Sequence, residues 1–405
     1  MASNEQPSTT ELDAVIIGAG IAGLWTLDTL TKAGHRAVLI EKNAIAQGQT
    51  IWSQGILHSG LKYTLSGTLT GAAKAVRDLP ERWASAMRGD DGPDLTRVRL
   101  RADHCLLWRT DTIASRLGMI GAKAGLKTKP IALDDHERPA VLRDCPGTVA
   151  RLDEMVLCPR SLAEAFAHVS SGRILRSEHN PVFTLEPDGS VRTVTIDAEG
   201  RTLTLAPKTL VLTAGNGAAE LREQLGLAST AMQVRPLRMT LVRGPLPLLN
   251  GHCVDGNKTR VTITSDTLGD GKSVWQIGGE VAEKGHSLTE AASIAHTRSE
   301  LLACIPGLDL TGCEWSSYLA PRAEGRTPSG KRPEQPTVIR EHNVITAWPS
   351  KLVAAPQTAD LILQELGNPP SSEIFVPIET WPSPDVARLP WEHGHAWVAD
   401  EQIAG

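Results

Sequence analysis

The sequence predicts an α/β fold in which a parallel sheet is joined to a second, mostly antiparallel α+β layer. Residues 13–20 (DAVIIGAG) and 35–42 (HRAVLIEK) are short apolar runs rich in β-branched residues, which is typical of buried parallel strands. Between them, residues 21–34 carry leucines at helical spacing and end in a glycine, so they predict a helix. In the run 98–108 (VRLRADHCLLW) apolar and polar residues alternate, which favours antiparallel strands.

The rest of the chain continues this pattern of two layers. Turns at PDG and AEG divide residues 180–205 into a predicted three-stranded meander. We further expect a helix over 159–169, a buried strand over 209–215, alternating strands over 232–244 and 272–283, and a strand, loop and helix over 342–366. The part beyond about 370 is rich in Pro and Trp, and we expect it to wrap the surface.

Composition excludes several classes of function. The formal net charge is -5, with 41 basic and 46 acidic residues, so nothing indicates a nucleic-acid partner. The first eleven residues are polar, and no apolar run approaches the roughly 20 residues that span a bilayer, so we expect a short frayed tail and a cytoplasmic protein. The six cysteines form no CxxC pair and predict buried free thiols, without a metal site.

A glycine motif lies between the first predicted strand and the first helix. Gly18, Gly20 and Gly23 form GxGxxG, which allows a tight turn, a close approach of a pyrophosphate, and close packing of helix on strand. Glu41 ends the second strand, where a carboxylate accepts hydrogen bonds from ribose hydroxyls and disfavours the 2′-phosphate of NADP. The sequence therefore predicts a Rossmann-like dinucleotide-binding unit.

Three segments resemble a known group of flavoenzymes. DAVIIGAGIAGLWTLDTLTKAGHRAVLIEK, SQGILHSGLKY and LVLTAGNGAAEL are similar to FAD-dependent oxidoreductases of the D-amino-acid oxidase type, which include glycine oxidase and sarcosine oxidase. The segment SQGILHSGLKY is most similar to that of L-2-hydroxyglutarate dehydrogenase and glycerol-3-phosphate dehydrogenase. The resemblance implies FAD as cofactor, and it implies an FAD-binding domain built from 1–80, 150–230 and 320–370, a substrate domain from 81–149 and 231–319, and a tail over 371–405.

The resemblance also implies which residues contact the FAD. It places Thr50, Ser53 and Gln54 along the pyrophosphate and ribityl chain, and Gly55 and Ile56 close to the flavin ring. The remaining positions implied for the cofactor are Gly18, Gly20, Ile21, Ala22, Gly23, Glu41, Lys42, Val182, Ala214, Gly215, Ser350, Lys351 and Leu352.

One departure from the family concerns the turn before the last helix. The family has a Gly-rich turn there, whereas this chain has AWPSKLVAAP, in which Pro349 offers no N–H. Ser350 and Lys351 then replace the backbone donors with side chains, or Lys351 is a solvent-facing residue. A lysine at this edge of the flavin would favour the reduced, anionic state.

The candidate catalytic and substrate-binding residues follow from what the oxidation of an alcohol requires of the protein. His58 is the predicted base for a hydroxyl proton, with a purely structural role as the alternative. Arginine holds two oxygens of a carboxylate or phosphate at once, and Arg322 matches a substrate-binding arginine of the family. Further candidates are Arg326, Tyr63, and one of Arg235 and Arg238, which should project to opposite faces of one strand.

The main functional prediction is an FAD-dependent oxidoreductase that oxidises a small 2-hydroxy acid or related alcohol. Two alternatives stay open: an amino acid or secondary amine oxidase, and a degenerate FAD-binding subunit or scaffold. The electron acceptor is left open among oxygen, a quinone and another protein.

Overall fold

The chain folds around two large sheets. The computed structural model describes residues 9–58, 78–110, 130–255, 258–369, 378 and 380–403. One sheet has eight strands and a parallel centre, and the other has nine strands that pair almost entirely antiparallel. This confirms the predicted fold class.

Strands of 2 to 12 residues make up the sheets of the described part of the chain. They are β1 (Thr10–Ile17), β2 (Ala37–Glu41), β3 (Leu100–Ala102), β4 (Cys105–Arg109), β5 (Ile131–Ala132), β6 (Val149–Leu152), β7 (Val156–Leu157), β8 (Ile174–Arg176), β9 (Val182–Leu185), β10 (Val191–Ala198), β11 (Arg201–Leu212), β12 (Met232–Arg235), β13 (Arg238–Gly244), β14 (Gly251–Asp255), β15 (Lys258–Thr267), β16 (Ser273–Gly278), β17 (Glu314–Leu319), β18 (Arg322–Gly325), β19 (Thr337–Glu341), β20 (Val344–Trp348) and β21 (Val398–Ala399).

The helices lie between these strands. They are α1 (Ile21–Lys32), α2 (Leu79–Arg88), α3 (Pro159–Val169), α4 (Ala218–Gln224), α5 (Glu280–Gly285), α6 (Glu290–Cys304), α7 (Ala355–Leu366) and α8 (Asp400–Ile403). Over the described ranges, none of the helices has both the length and the apolar character needed to cross a membrane.

The eight-stranded sheet carries the predicted βαβ unit. Its order is β19-β20-β11-β1-β2-β8, and β1 pairs in parallel with both β2 and β11. Helix α1 is almost wholly buried, and Trp25 of this helix packs against Trp83 and Phe166. Because β1 pairs with β2 on one side and β11 on the other, the turn that follows it is held by both neighbouring strands.

Strand β11 corrects one expectation. The last strand of the predicted meander and the strand predicted over 209–215 are one continuous strand of twelve residues. Its first half pairs antiparallel with β10, and it also runs parallel to β1 up to the pair of Leu212 with Ile17. A single strand therefore serves both the meander and the parallel sheet, and it ends beside the glycine turn.

The nine-stranded sheet has the order β21-β17-β13-β16-β15-β14-β4-β6-β5, and only β4 and β14 pair in parallel. Residues 232–244 are two strands rather than the single strand predicted, because Pro236 separates β12, which pairs with β18, from β13. The strand predicted over 272–283 ends at Gly278, and helix α5 begins at Glu280. The sequence interpretation also missed helix α6.

The C-terminal part runs along both sheets where it is described. Val386 forms a bridge with Ile45 beside the first sheet, and β21 adds to β17 at the edge of the second sheet. Residues 1–8, where a frayed tail was expected, lie outside the described residues.

Candidate active site

A cavity of about 500 Å³ opens between the glycine turn after β1 and the second sheet. The GxGxxG turn, the loop of residues 47–56 and the end of β11 line it. The segment that follows β20 and residues of β13 and β18 line it as well. The cavity therefore brings together most of the segments that the sequence marked as cofactor-binding.

The three motif glycines have different surroundings. Gly18 has φ +107°, and a Cβ there would lie 2.6 Å from the Cα of Ala214. A Cβ on Gly23 would lie 2.1 Å from the carbonyl oxygen of Gly18, so this residue packs the helix on the strand. Gly20 faces the cavity, and its nearest neighbour would be Thr50 Oγ1 at 3.5 Å. Two glycines thus serve the turn, and the third leaves room for a ligand.

Side chains from the neighbouring loops hold the start of α1. The N–H of Ile21 donates to Thr50 Oγ1 at 3.0 Å, and the N–H of Ala19 donates to Glu41 Oε2 at 2.8 Å. Asn43 N–H donates to the other oxygen of Glu41 at 2.8 Å. Burial raises the pKa of Glu41 although these amide donors oppose it. The carboxylate is therefore fixed at the cavity wall, beside Lys42.

The loop after Thr50 passes from the first sheet to the second. Gln54 Nε2 donates to the carbonyl oxygens of Thr262 and Gln276, at 3.0 and 2.9 Å. Gly55 has φ +73°, and a Cβ there would lie 2.0 Å from the carbonyl oxygen of Leu157. Ile56 then pairs with Val156 as an antiparallel bridge. Only glycine fits where this loop crosses the second layer.

The segment after β20 also lines the cavity. Ser350 has φ +60°, a left-handed conformation that usually favours glycine, and it stands in the turn where the family has glycines. Lys351 and Leu352 follow it, and all three line the cavity. Among the described residues, the buried Ser53 Oγ, Ser350 Oγ and Trp348 Nε1 have no hydrogen-bond partner, although all three residues line the cavity. Buried polar atoms without partners fit a polar ligand such as a flavin dinucleotide.

His58 lies at the end of the loop, at the cavity wall. Its Nδ1 is 3.3 Å from Glu154 Oε2, and His252 Nε2 is 3.4 Å from the same oxygen. Burial by itself would raise the pKa of Glu154, but the charges and hydrogen bonds of the two histidines hold that pKa well below its usual range. Glu154 is therefore a buried carboxylate behind His58. The sequence interpretation missed both Glu154 and His252.

Two arginines line the cavity as well. Arg322 was predicted, whereas Arg332 was not, although it lies only ten residues further along the chain. Burial, together with the nearby Arg332 and Arg235, lowers the pKa of Arg322 to about 10, so Arg322 is still charged at neutral pH. The cavity thus has a cationic part suited to an anion.

Four other predicted residues do not line the cavity. Arg235 forms a bidentate pair with the buried Glu324, at 2.8 Å for both contacts, and Arg238 donates to Ser317. The expectation that one of these two arginines faces the cavity is corrected, because they lie on different strands with these partners. Arg326 is exposed, and Val182 lies in the meander with 67% of its surface exposed.

Further lining residues lie near the positions predicted to contact the adenine and the phosphates of the cofactor. Asn180 and Pro181, next to Val182, line the cavity, and Asn180 accepts a hydrogen bond from Lys42 at 2.7 Å. Ala22 lines the cavity too, with Ala214 and Gly215 at the end of β11. Tyr63 lies outside the described residues.

The βαβ unit and the cavity at its glycine turn are typical of a dinucleotide-binding protein. The sequence matches the family described as DAO, FAD dependent oxidoreductase, over residues 13–354. It is 35% identical to a probable FAD-dependent oxidoreductase of Pseudomonas aeruginosa, over 95% of this chain and 99% of that protein. The chain belongs to this family of FAD-dependent oxidoreductases, and FAD is its cofactor.

Solved structures agree with this assignment. The crystal structure of the FAD-dependent oxidoreductase from Pseudomonas aeruginosa matches with a TM-score of 0.79 and 33% identity, over 96% of this chain and 99% of that chain. Glycine oxidase from Geobacillus kaustophilus matches with a TM-score of 0.62 and 18% identity, over 91% and 98% of the two chains. L-α-glycerophosphate oxidase from Mycoplasma pneumoniae, with FAD bound, matches with a TM-score of 0.60 and 16% identity, over 91% of this chain and 100% of that chain. The last two similarities show the fold alone.

Replacement of Gly18 by Ala tests the glycine turn. A left-handed or otherwise sparsely populated backbone costs about 1–3 kcal/mol, and the new Cβ would also meet Ala214. We expect the Kd for FAD to rise roughly 10- to 100-fold, measured by titrating apoprotein with FAD. Gly269→Ala is the matched control, because a Cβ there meets nothing within 4 Å. Equal Kd values for the two variants would contradict this account of the turn.

The affinity for FAD should depend on pH through Glu41. Burial raises the pKa of this carboxyl, whereas ribose hydroxyls donate to its ionised form. Because protonated Glu41 must lose its proton for FAD to bind, affinity should fall as the pH drops through that pKa, by up to about tenfold per pH unit. Glu41→Gln should remove this part of the dependence. The same slope between pH 7 and 5 in both proteins would contradict the prediction.

Proposed function

We propose that the protein oxidises a small 2-hydroxy acid or a related alcohol, with FAD as the electron acceptor. The observation that carries the proposal is that His58, backed by Glu154, lines the same cavity as Arg322 and Arg332. A base and a cationic anchor are the two groups that the oxidation of an anionic alcohol needs from the protein.

The arginines provide the anchor. The guanidinium of Arg322 presents a planar fork of donors to both oxygens of a carboxylate, and Arg332 adds a second positive charge at the same wall. Holding the acid group fixes the neighbouring carbon, which carries both the hydroxyl and the hydrogen to be removed. The anchor therefore selects substrates in which the alcohol lies next to the anionic group.

His58 provides the base. A neutral imidazole accepts a proton near pH 7, and its orientation is set by the buried carboxylate of Glu154. When bound, FAD would supply the two-electron acceptor for the hydride of the substrate carbon. The hydroxyl proton would pass to His58, so the alcohol would lose a hydride and a proton and become a 2-oxo acid. Lys351 adds positive charge at the cavity wall.

The cradle for the cofactor is part of the proposal. We assign the phosphates to the turn of Gly18 and Gly20 with Ala214 and Gly215, and the adenosine ribose to Glu41. Thr50, Ser53 and Gln54 would follow the chain toward the ring, and Gly55 and Ile56 would lie beside it. Ser350 and Leu352, which line the same cavity, would also contact the ring. The domain limits expected from the sequence remain part of the proposal.

Anaerobic reduction of the bound flavin tests the function. We expect glycolate, lactate, malate, 2-hydroxyglutarate or glycerol 3-phosphate to bleach the flavin, and glycine, sarcosine or D-alanine to leave it oxidised. His58→Ala should slow the reduction rate constant about 10²- to 10⁴-fold, which is the usual contribution of a general base. Reduction by the amines with His58→Ala unimpaired would favour an amine oxidase. A flavin that no compound of either class reduces would favour a subunit without catalysis.

Arg322→Gln tests the anchor. Loss of a charge-assisted pair costs about 1.5–3 kcal/mol, so the substrate Kd should rise roughly 10- to 150-fold. The measurement is the concentration dependence of flavin reduction by the acid identified in the screen. Arg192→Gln, an exposed arginine on the meander, is the matched control and should leave this Kd unchanged. Weakened binding in the control, or none in Arg322→Gln, would count against the anchor.

A further inference from the structure

Two arginines at the cavity wall have no acidic partner among the described residues. Arg322 and Arg332 both line the cavity. Within the described ranges, neither guanidinium forms an ion pair or a hydrogen bond. Burial, and after it the positive charge of Arg332, lowers the pKa of Arg322 to about 10, so Arg322 stays charged at neutral pH and is repelled by Arg332. The cavity therefore has two like charges that an anion would bring together.

Two carboxylates lie near Arg322, but neither pairs with it. Glu324 is fully buried in the same strand, and both of its oxygens accept hydrogen bonds from Arg235, at 2.8 Å each. Arg235 itself stands directly opposite Arg322 in the pairing of β12 with β18. Glu283 is exposed, so water and salt screen its charge. Because Glu324 and Arg235 compensate each other, Arg322 keeps its own positive charge at the cavity wall.

The turn that precedes Arg332 is held against β12. Gln233 Nε2 donates to the carbonyl oxygens of Gly330 and Lys331, at 3.1 Å each. Strand β12 in turn pairs with β18, which begins at Arg322. The same pair of strands therefore positions both arginines, and their common place at the cavity is set by the backbone.

We propose that Arg322 and Arg332 form a clamp for substrates that carry two negative charges, and that Arg332 is the residue that sets this specificity. The proposal rests on the proposed function, in which Arg322 anchors the anionic group of the substrate. A monoanion pairs with one guanidinium and leaves the other charge without a partner, whereas a dianion compensates both. A dicarboxylic 2-hydroxy acid and a phosphate monoester of an alcohol have this double charge in common.

The pyrophosphate of FAD also carries two negative charges, so it is the competing partner for the two arginines. In the proposed cradle, the phosphates lie at the turn of Gly18 and Gly20, next to the N-terminus of α1, whose partial positive charge suits them. The arginines come from β18 and the segment that follows it, in a different part of the chain. We therefore assign their charge to the substrate, and the affinity for FAD is the measurement that checks this assignment.

Binding of anions that cannot be oxidised tests the clamp without turnover. The FAD-loaded protein is titrated at mildly alkaline pH, where phosphate monoesters are doubly ionised. Malonate and methyl phosphate are the dianions, acetate is the monoanion, and the change in flavin absorbance gives each Kd. We expect one of the dianions to bind at least about tenfold more tightly than acetate. Malonate as the tighter ligand would assign the clamp to dicarboxylates, and methyl phosphate would assign it to phosphate esters. Equal Kd values for acetate and both dianions would overturn the proposal.

Arg332→Gln tests which residue sets the specificity. The variant should weaken binding of the preferred dianion about 10- to 100-fold and that of acetate less than about threefold, so that the preference is lost. Arg332→Lys keeps the charge without the planar fork and should recover part of the affinity. Lys331→Gln removes the neighbouring exposed charge, which does not line the cavity, and is the matched control that should leave each Kd unchanged. A dianion preference that persists in Arg332→Gln, or that is lost equally in Lys331→Gln, would overturn the proposal.

The outcomes separate this proposal from the cofactor reading and from the proposed function. Arg332→Gln should leave the Kd for FAD unchanged in a titration of the apoprotein, which also shows that the variant folds. A Kd for FAD that rises as much as the Kd for the dianion would assign Arg332 to the cofactor and would overturn the proposal. If no hydroxy acid or phosphate ester reduces the wild-type flavin, the proposed function fails, whereas the anion titrations still decide whether the cavity selects two charges.

Discussion

The arrangement of the site depends on one short antiparallel pairing, between residues 55–57 and 155–157. The N–H of Leu57 donates to Met155 O, and the N–H of Leu157 donates to Gly55 O, both at 2.9 Å. Gly55 permits this contact, because a Cβ would lie 2.0 Å from Leu157 O. The pairing attaches the loop that leaves the dinucleotide turn to β7, which pairs with β3 outside the two large sheets. It therefore fixes the distance between the glycine turn and His58, which both line the cavity.

The same pairing determines which two titratable side chains meet beside the cavity. Side chains opposite each other in an antiparallel pair lie about 4.5–5.5 Å apart at Cβ, so residues two positions beyond Ile56 and before Val156 must meet. These residues are His58 and Glu154. Gln54 strengthens the attachment by donating to two carbonyl oxygens of the second sheet. A loop anchored in this way holds an imidazole more firmly than a solvent-exposed loop would.

Local patterns were sufficient to predict the dinucleotide half of the molecule. The strand, glycine turn, helix and Glu41 lie within about thirty residues, and each carries its own signal, so the prediction needed no tertiary information. The reactive half could be predicted only in part. Glu154 lies 96 residues from His58 in the chain, and His252 is on a different strand again, so no spacing in the sequence connects them. Arg235 shows the opposite error, since the buried Glu324 that pairs with it comes 89 residues later.

Charge is distributed unevenly around the cavity, because the dinucleotide-binding segments and the other lining segments contribute different charged groups. The dinucleotide end has the N-terminus of α1, whose partial positive charge suits phosphates, and among the described lining residues Glu41 is the carboxylate there. Arg322 and Arg332 line the same cavity, while the carboxylate next to His58, Glu154, is buried behind it. In the proposed function, an anionic substrate would therefore bind at positive charge and would not face Glu154 directly. Burial of Glu154 would then allow an anionic substrate and a carboxylate-oriented base to share one site.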